Sequence, residues 1–271
     1  LSELALQPAS ARPTAAHDPE PVDLKEEAAA RAKMYRLLAG VFAEEPDAAF
    51  LAALRAPQAM QALAEAGLCF EADFTRPALE ALVDQLAAEY TAMFVAAGGF
   101  PPVESVRLTG RYYQAPHFAV QEEYRRCGFQ ARDSRHRVFA DQLGVELSFV
   151  AELLERALGV LQRDGAPGYH RIERDLKRFW ALHLGRWVRG YAGLVARATE
   201  HSFYREMAKL LGAFAADEIA RMRLRVEDVD QGREVVPKSD VRVLFNPDEP
   251  VCNACGGGDR PAPLARSSIS R

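Results

Sequence analysis

Cysteine is scarce in this chain: four occur in 271 residues, at Cys69, Cys127, Cys252 and Cys255. So few, so irregularly spaced, are unlike the framework of a disulfide-stapled secreted domain, and reduced thiols are expected. Net charge is also small. Thirty-four Lys and Arg oppose 38 Asp and Glu, a formal charge of −4, which leaves no global basic field to gather nucleic acid or an acidic membrane. No uninterrupted apolar stretch approaches the roughly 20 residues of a membrane helix, and no basic segment followed by an apolar one opens the chain, so a cytoplasmic location without stable membrane insertion is expected. Catalytic signatures are missing too. There is no HExxH pair, Gly-rich phosphate loop or GxSxG elbow, and His136, His170, His183 and His201 lack metal-ligand spacing. Neither an enzyme nor a bound cofactor is expected.

What the chain does have is apolar residues, 49% of the total, enough for a sizeable core. They recur at helical spacing. Met34, Leu38, Val41 and Phe42 share a side, a second amphipathic stretch runs from about 48 to 66, and Leu79, Leu82, Val83, Leu86, Tyr90 and Met93 form a stripe over 77–94. A short helix is predicted around 119–127, and core helices over 141–161, 172–195 and 203–222. Alternating strand patterns are absent apart from a weak one at 241–245. These patterns predict an all-α fold: a single helical domain of two hinged halves, about 24–97 and 117–226. Residues 1–23, broken by Pro8, Pro13, Pro19 and Pro21, are expected to form a disordered arm, and 227–271 an extended or mobile tail. Gly98, Gly99, Pro101, Pro102, Gly110 and Pro116 predict an irregular connection over 98–116, the kind of long loop that often carries function.

Several separated motifs then appear in fixed order: Glu89-Tyr90-Thr91-Ala92-Met93-Phe94, Pro101-Pro102-Val103-Glu104-Ser105, Ala140 to Phe149 with Asp141-Gln142-Leu143-Gly144-Val145-Glu146-Leu147 at its centre, and Phe179 with His183, Leu184 and Trp187. In this order they resemble the TorD/DmsD/NarJ family of maturation chaperones for molybdenum-cofactor oxidoreductases, over roughly residues 28–224. The resemblance implies a protein that binds the immature catalytic subunit, by its leader peptide or its apo form, and holds it until cofactor insertion and assembly or export. It also implies that the Asp141 segment and the Pro-rich loop take part in binding the client or its twin-arginine leader. Two positions depart from the family pattern: Ala140 stands for a proline and Gln142 for a histidine.

Read physically, Asp141 sits where a carboxylate caps a helix. With Glu104 and Glu146 it is also expected to form an acidic rim suited to forked hydrogen bonds from guanidinium groups. Tyr90, Met93, Phe94, Pro102 and Val103 would line an adjoining apolar groove, with Ser105 and Gln142 beside it; the alternative for the stripe residues is plain core packing. His183, between Phe179 and Trp187 on an apolar face, reads as a core histidine. The arginines between Arg171 and Arg197 read as a solvated face, with a phosphate-bearing ligand as the alternative. Cys252 and Cys255 supply half of a tetrahedral zinc site at most, so a metal-free tail is expected there. The partner expected is the apo catalytic subunit of a molybdenum-cofactor oxidoreductase, with the chaperone a monomer or homodimer. Two alternatives stand beside this reading: an assembly factor whose client carries no twin-arginine leader, and a small-molecule or nucleotide-binding enzyme using the cleft between the halves.

Overall fold

A computed structural model describes residues 21–129 and 139–232. Among them are ten α-helices and no strand: α1 (Pro21–Ala43), α2 (Ala48–Leu54), α3 (Pro57–Glu65), α4 (Ala72–Thr75), α5 (Leu79–Tyr90), α6 (Glu104–Thr109), α7 (Ala115–Arg126), α8 (Leu143–Leu182), α9 (Val188–Ala198) and α10 (Ser202–Arg221). The all-α expectation holds. The weak strand pattern at 241–245, His136 and the Cys252/Cys255 pair lie outside the described residues, as do residues 1–20 of the expected arm.

Local chemistry sets the helix ends. Pro57 opens α3 and so splits the predicted 48–66 stretch in two, because proline has no N–H to continue a ladder but suits a first helical position. The stripe of 77–94 is helical from Leu79 onward, and its last turn, Thr91–Val95, widens into a π-helix. α8 runs 40 residues, well past the expected end at 161, and bends at Gly165, whose φ of 68° lies in the left-handed region that glycine adopts without a Cβ penalty. The helix expected over 172–195 is interrupted. Its chain leaves α8 at Leu182, makes a 3-10 turn over Leu184–Arg186 and resumes as α9.

The connection at 98–116 also differs from expectation, since α6 lies within it. Val103 enters α6 in an extended conformation, and Gly110 ends it with a φ of 80°. A six-residue helix between two prolines and a glycine leaves almost no periodic signal.

α1, from the amino-terminal half, packs along α8, and α9 packs along α10. The first contact is close because position 144 is glycine: a Cβ there would stand 2.5 Å from the Cβ of Ala43. Between α1, α8 and α10 a buried polar lock forms. Arg31 donates from Nε and Nη2 to both oxygens of Glu218 at 2.8 and 2.6 Å, Tyr35 donates to Glu218 at 2.6 Å, and Trp180 Nε1 donates to the Tyr35 hydroxyl at 2.7 Å. Burial and the adjacent Glu218 push the Tyr35 hydroxyl well above its ordinary pKa. Across the core, Phe42, Phe179, Trp187, Tyr191 and Tyr204 are fully buried, each contributing roughly 1.5–3 kcal/mol of apolar transfer.

Residues 227–232, expected to belong to the tail, are pinned instead. Asp228 accepts from the backbone N–H of Arg189 and Gly190 at 2.9 and 3.0 Å, and Arg107 forms a two-pronged pair with Asp230, 2.8 Å on each prong. Gly190 permits this crossing, since a Cβ there would meet the Asp230 backbone at 2.3 Å.

Candidate functional site

The Pro-rich loop and the segment before α8 meet as a short ladder. Glu104 N–H donates to the Asp141 carbonyl at 2.8 Å, Leu143 N–H donates to the Pro102 carbonyl at 2.8 Å, and Val103 and Gln142 form an antiparallel bridge. Proline serves here because only its carbonyl is used. The pairing brings Pro102, Val103, Glu104, Ser105, Asp141, Gln142 and Glu146 to one junction, from two stretches some 40 residues apart in sequence.

Each polar side chain then finds a specific neighbour. Asp141 Oδ2 accepts from the Ser105 backbone N–H at 2.9 Å and from the Ser105 hydroxyl, so the carboxylate caps α6 from across the junction. Its other oxygen faces His117 Nδ1 at 2.7 Å. Glu104 Oε2 faces His183 Nδ1 at 2.9 Å. Tyr124 donates to the Ala140 carbonyl at 2.9 Å. The cap of α8 is Gln142, not Asp141: its side chain accepts from Val145 N–H at 3.1 Å and donates to the Phe42 carbonyl at the end of α1. Glutamine thus uses both halves of its amide here, one as acceptor and one as donor.

Glu146 differs from the rest. Neither of its oxygens, nor Glu104 Oε1, meets an N–H or O–H donor from another side chain. Burial, then the neighbouring Glu104 and Asp141, hold the Glu146 carboxyl well above the usual carboxylate range. The same three acids, after burial itself, push the Tyr124 hydroxyl well above its ordinary value.

The expected acidic rim is therefore not on the surface. Asp141, Glu104 and Glu146 are each 0% exposed, Asp141 held by Ser105 and His117 and Glu104 by His183. Tyr90, Met93 and Phe94 are also buried, in an aromatic cluster beside the junction rather than along an open groove. Phe94 stands edge-on to Tyr90 and Tyr204 at 5.1 and 5.5 Å, and Met93 gives its backbone carbonyl to Phe100 N–H. Tyr90, like Gln142, donates to the Phe42 carbonyl, at 3.4 Å, and so joins cluster and junction. Core packing is thus where the structure places these three. His183 is a core histidine as expected, with Glu104 as its partner.

Sequence reasoning missed His117 and Tyr124 as members of the junction. Nothing local marks them, since their partners lie 24 and 16 residues away. It also missed what lies outside. Tyr112, Tyr113 and Phe118 stay exposed, with Tyr112 stacked on Phe139 at 4.6 Å and Tyr113 edge-on to His117 at 5.0 Å. Near them a cleft of about 440 Å³ opens between α7 and the end of α8, with Glu104 and His183 among its lining residues.

No described helix is long and apolar enough to cross a membrane. No curated protein matches the chain significantly. The profile of one family, described as the nitrate reductase delta subunit, matches residues 55–192, just over half of the chain and the span that holds both segments of the junction and both of its histidines. The protein belongs to the nitrate reductase delta subunit family, the family of NarJ- and TorD-type molybdoenzyme maturation chaperones.

Proposed function

We propose that this chain is a cytoplasmic chaperone that holds the immature catalytic subunit of a molybdenum-cofactor oxidoreductase until the cofactor is inserted, and that it binds without catalysing. The observation that carries the reading is the convergence, within the family-matched span, of the Pro-rich loop, the segment opening α8 and His183 on one buried junction, with the 89–94 cluster beside it and exposed aromatics outside it. His117 connects the two: one side of its ring faces the buried Asp141 and the other meets Tyr113. In this reading Glu104, Ser105, Asp141, Gln142 and Glu146 fix the shape of the 98–116 connection, and Tyr90, Met93, Phe94, Pro102 and Val103 supply the apolar bed beneath it. The client meets the outer aromatics first and reaches the inner residues where the connection swings outward, as a hinge between the halves 24–97 and 117–226. Affinity then comes from apolar burial, with polar groups giving orientation.

The test is co-expression of the full chain with its client subunit, with and without the client's leader segment, followed by purification and mass measurement. A complex that forms with both versions supports recognition of the apo subunit; one that needs the leader supports a leader-binding chaperone. No complex with either overturns the reading.

A further inference from the structure

α7 and the second part of α8 run antiparallel, fastened by Arg126 to Asp175 at 2.7 Å and by Arg178 to Glu123 at 2.9 Å. Beyond these bridges the helices part to form the 440 Å³ cleft, with Ala115, Ala119 and Leu182 as apolar walls. Leu182 is 42% exposed and Phe118, at the edge of the same face of α7, is 57% exposed. Together with Tyr112 and Tyr113 they make four of the six large apolar side chains left exposed among the described residues. Exposed apolar surface concentrated around one cleft is the mark of a docking site.

Charge is distributed unevenly beside this cleft. The acids of α7 and α8 along this face are engaged: Glu122 with Arg125, Glu123 with Arg126 and Arg178, Asp175 with Arg126, and Glu173 with His170 and Lys177, while Glu104 in the buried lining pairs with His183 through one oxygen. Arg171, Arg174 and Arg186 have no such partner among the described residues. Positions 171, 174, 178 and 182 follow a spacing of three, four and four, so the two free guanidiniums of α8 stand on the same stripe as Leu182, about 12 to 17 Å from it at 1.5 Å per residue. Arg186 stands at the cleft itself. A chain of net charge −4 thus presents a cationic line that ends in an apolar cleft.

We propose that this groove docks an acidic amphipathic segment of the client, with an apolar side chain in the cleft and carboxylates on Arg171, Arg174 and Arg186. The distance requires about four to five extended residues between anchor and carboxylate, at roughly 3.3 Å each. Guanidinium groups favour such partners through forked hydrogen bonds. The proposal rests on the chaperone reading and adds to it a contact opposite in charge to an arginine-bearing leader.

The experiment uses the full chain and two fluorescein-labelled ten-residue peptides, one with Leu-Leu followed five residues later by Glu-Glu, the other with Lys-Lys in place of the glutamates. Anisotropy at about 150 mM salt, where exposed charges are screened beyond about 8 Å, should show the Glu peptide binding at least about tenfold tighter. The double variant Arg171→Glu/Arg174→Glu should reverse that order, and Ala119→Trp, which fills the cleft from an exposed position, should weaken the Glu peptide about tenfold. All three side chains are exposed, so melting curves should stay unchanged. Equal or tighter binding of the Lys peptide, or indifference to both variants, overturns the proposal. So does polyphosphate or single-stranded RNA binding Ala119→Trp as well as the natural protein, which would make this a general anion surface. Capture of the client subunit by the groove variants as efficiently as by the natural chain would sink the groove and leave the chaperone reading intact.

Discussion

Between α1, α8 and α10, Glu218 meets a guanidinium on both of its oxygens, whereas beneath α6 three carboxyl groups meet two imidazoles and, among the described residues, no guanidinium. Both junctions are buried and both tie distant parts of the chain together, so burial alone does not distinguish them. The difference lies in how negative charge is satisfied. At Glu218 an opposite charge, a tyrosine hydroxyl and a tryptophan N–H behind it close the network completely. At Glu146 closure depends on a proton that a carboxyl group would ordinarily release. A fully paired ion lock holds helices in place; a junction one proton from repulsion is the part of the molecule that a change in surroundings can open. The second lies under the exposed aromatics, where the client is proposed to arrive, and the first lies far from them in sequence.

Breaking the first junction should give the largest effect. Glu218→Ala leaves the buried Arg31 with only the partly exposed Glu27, 3.9 Å away, and should cost about 3–5 kcal/mol in urea unfolding, whereas rupture of an exposed pair such as Arg36 with Glu155 should cost under about 1 kcal/mol. A loss at Glu218 no larger than at the surface pair would erase the contrast between lock and junction.

Glu146→Gln sharpens the comparison from the other side. The amide keeps the size and one donor toward Glu104 but carries no proton to lose. Because burial, Glu104 and Asp141 raise the folded pKa above the unfolded value near 4.3, the folded state keeps a proton that the unfolded chain releases. Stability from this group is complete below the unfolded value and declines as pH rises toward the folded one, by about 1.4 kcal/mol per pH unit for one proton. The natural protein should lose stability between pH 5 and 7 more steeply than Glu146→Gln, and the variant should be the more stable of the two at pH 7. Identical slopes in melting experiments would show that Glu146 carries no extra proton.

Gln142→Ala should give the smallest effect, about 1 kcal/mol, since it removes one helix cap and one hydrogen bond to the Phe42 carbonyl while leaving the ladder to Val103 in place. Chemical denaturation checks it, and a loss as large as that of Glu218→Ala would mean that the α1–α8 contact hangs on this amide.

Helices were legible in the sequence because a 3.6-residue period survives over ten residues or more, as in α5, the first part of α8 and α10. α6 was not, because six residues between Pro102 and Gly110 hold less than two turns. The cap of α8 was misplaced by one residue, from Gln142 to Asp141, since both residue types accept an N–H and only the tertiary ladder decides which of them faces the helix. Burial of the acids was illegible for a different reason. His183 lies 79 residues from Glu104, and Arg31 lies 187 from Glu218, so nothing near either carboxylate announces its partner. A family resemblance located the right segments but said nothing about which side of them faces water.

The central claim, that this chain distinguishes an immature catalytic subunit from a finished one, is tested most directly by calorimetric titration of the purified full chain with its client subunit, prepared once without the molybdenum cofactor and once loaded. Tight binding of the empty subunit is expected, with at least about tenfold weaker binding of the loaded one, a difference of about 1.4 kcal/mol. Equal affinity for the two forms would contradict it.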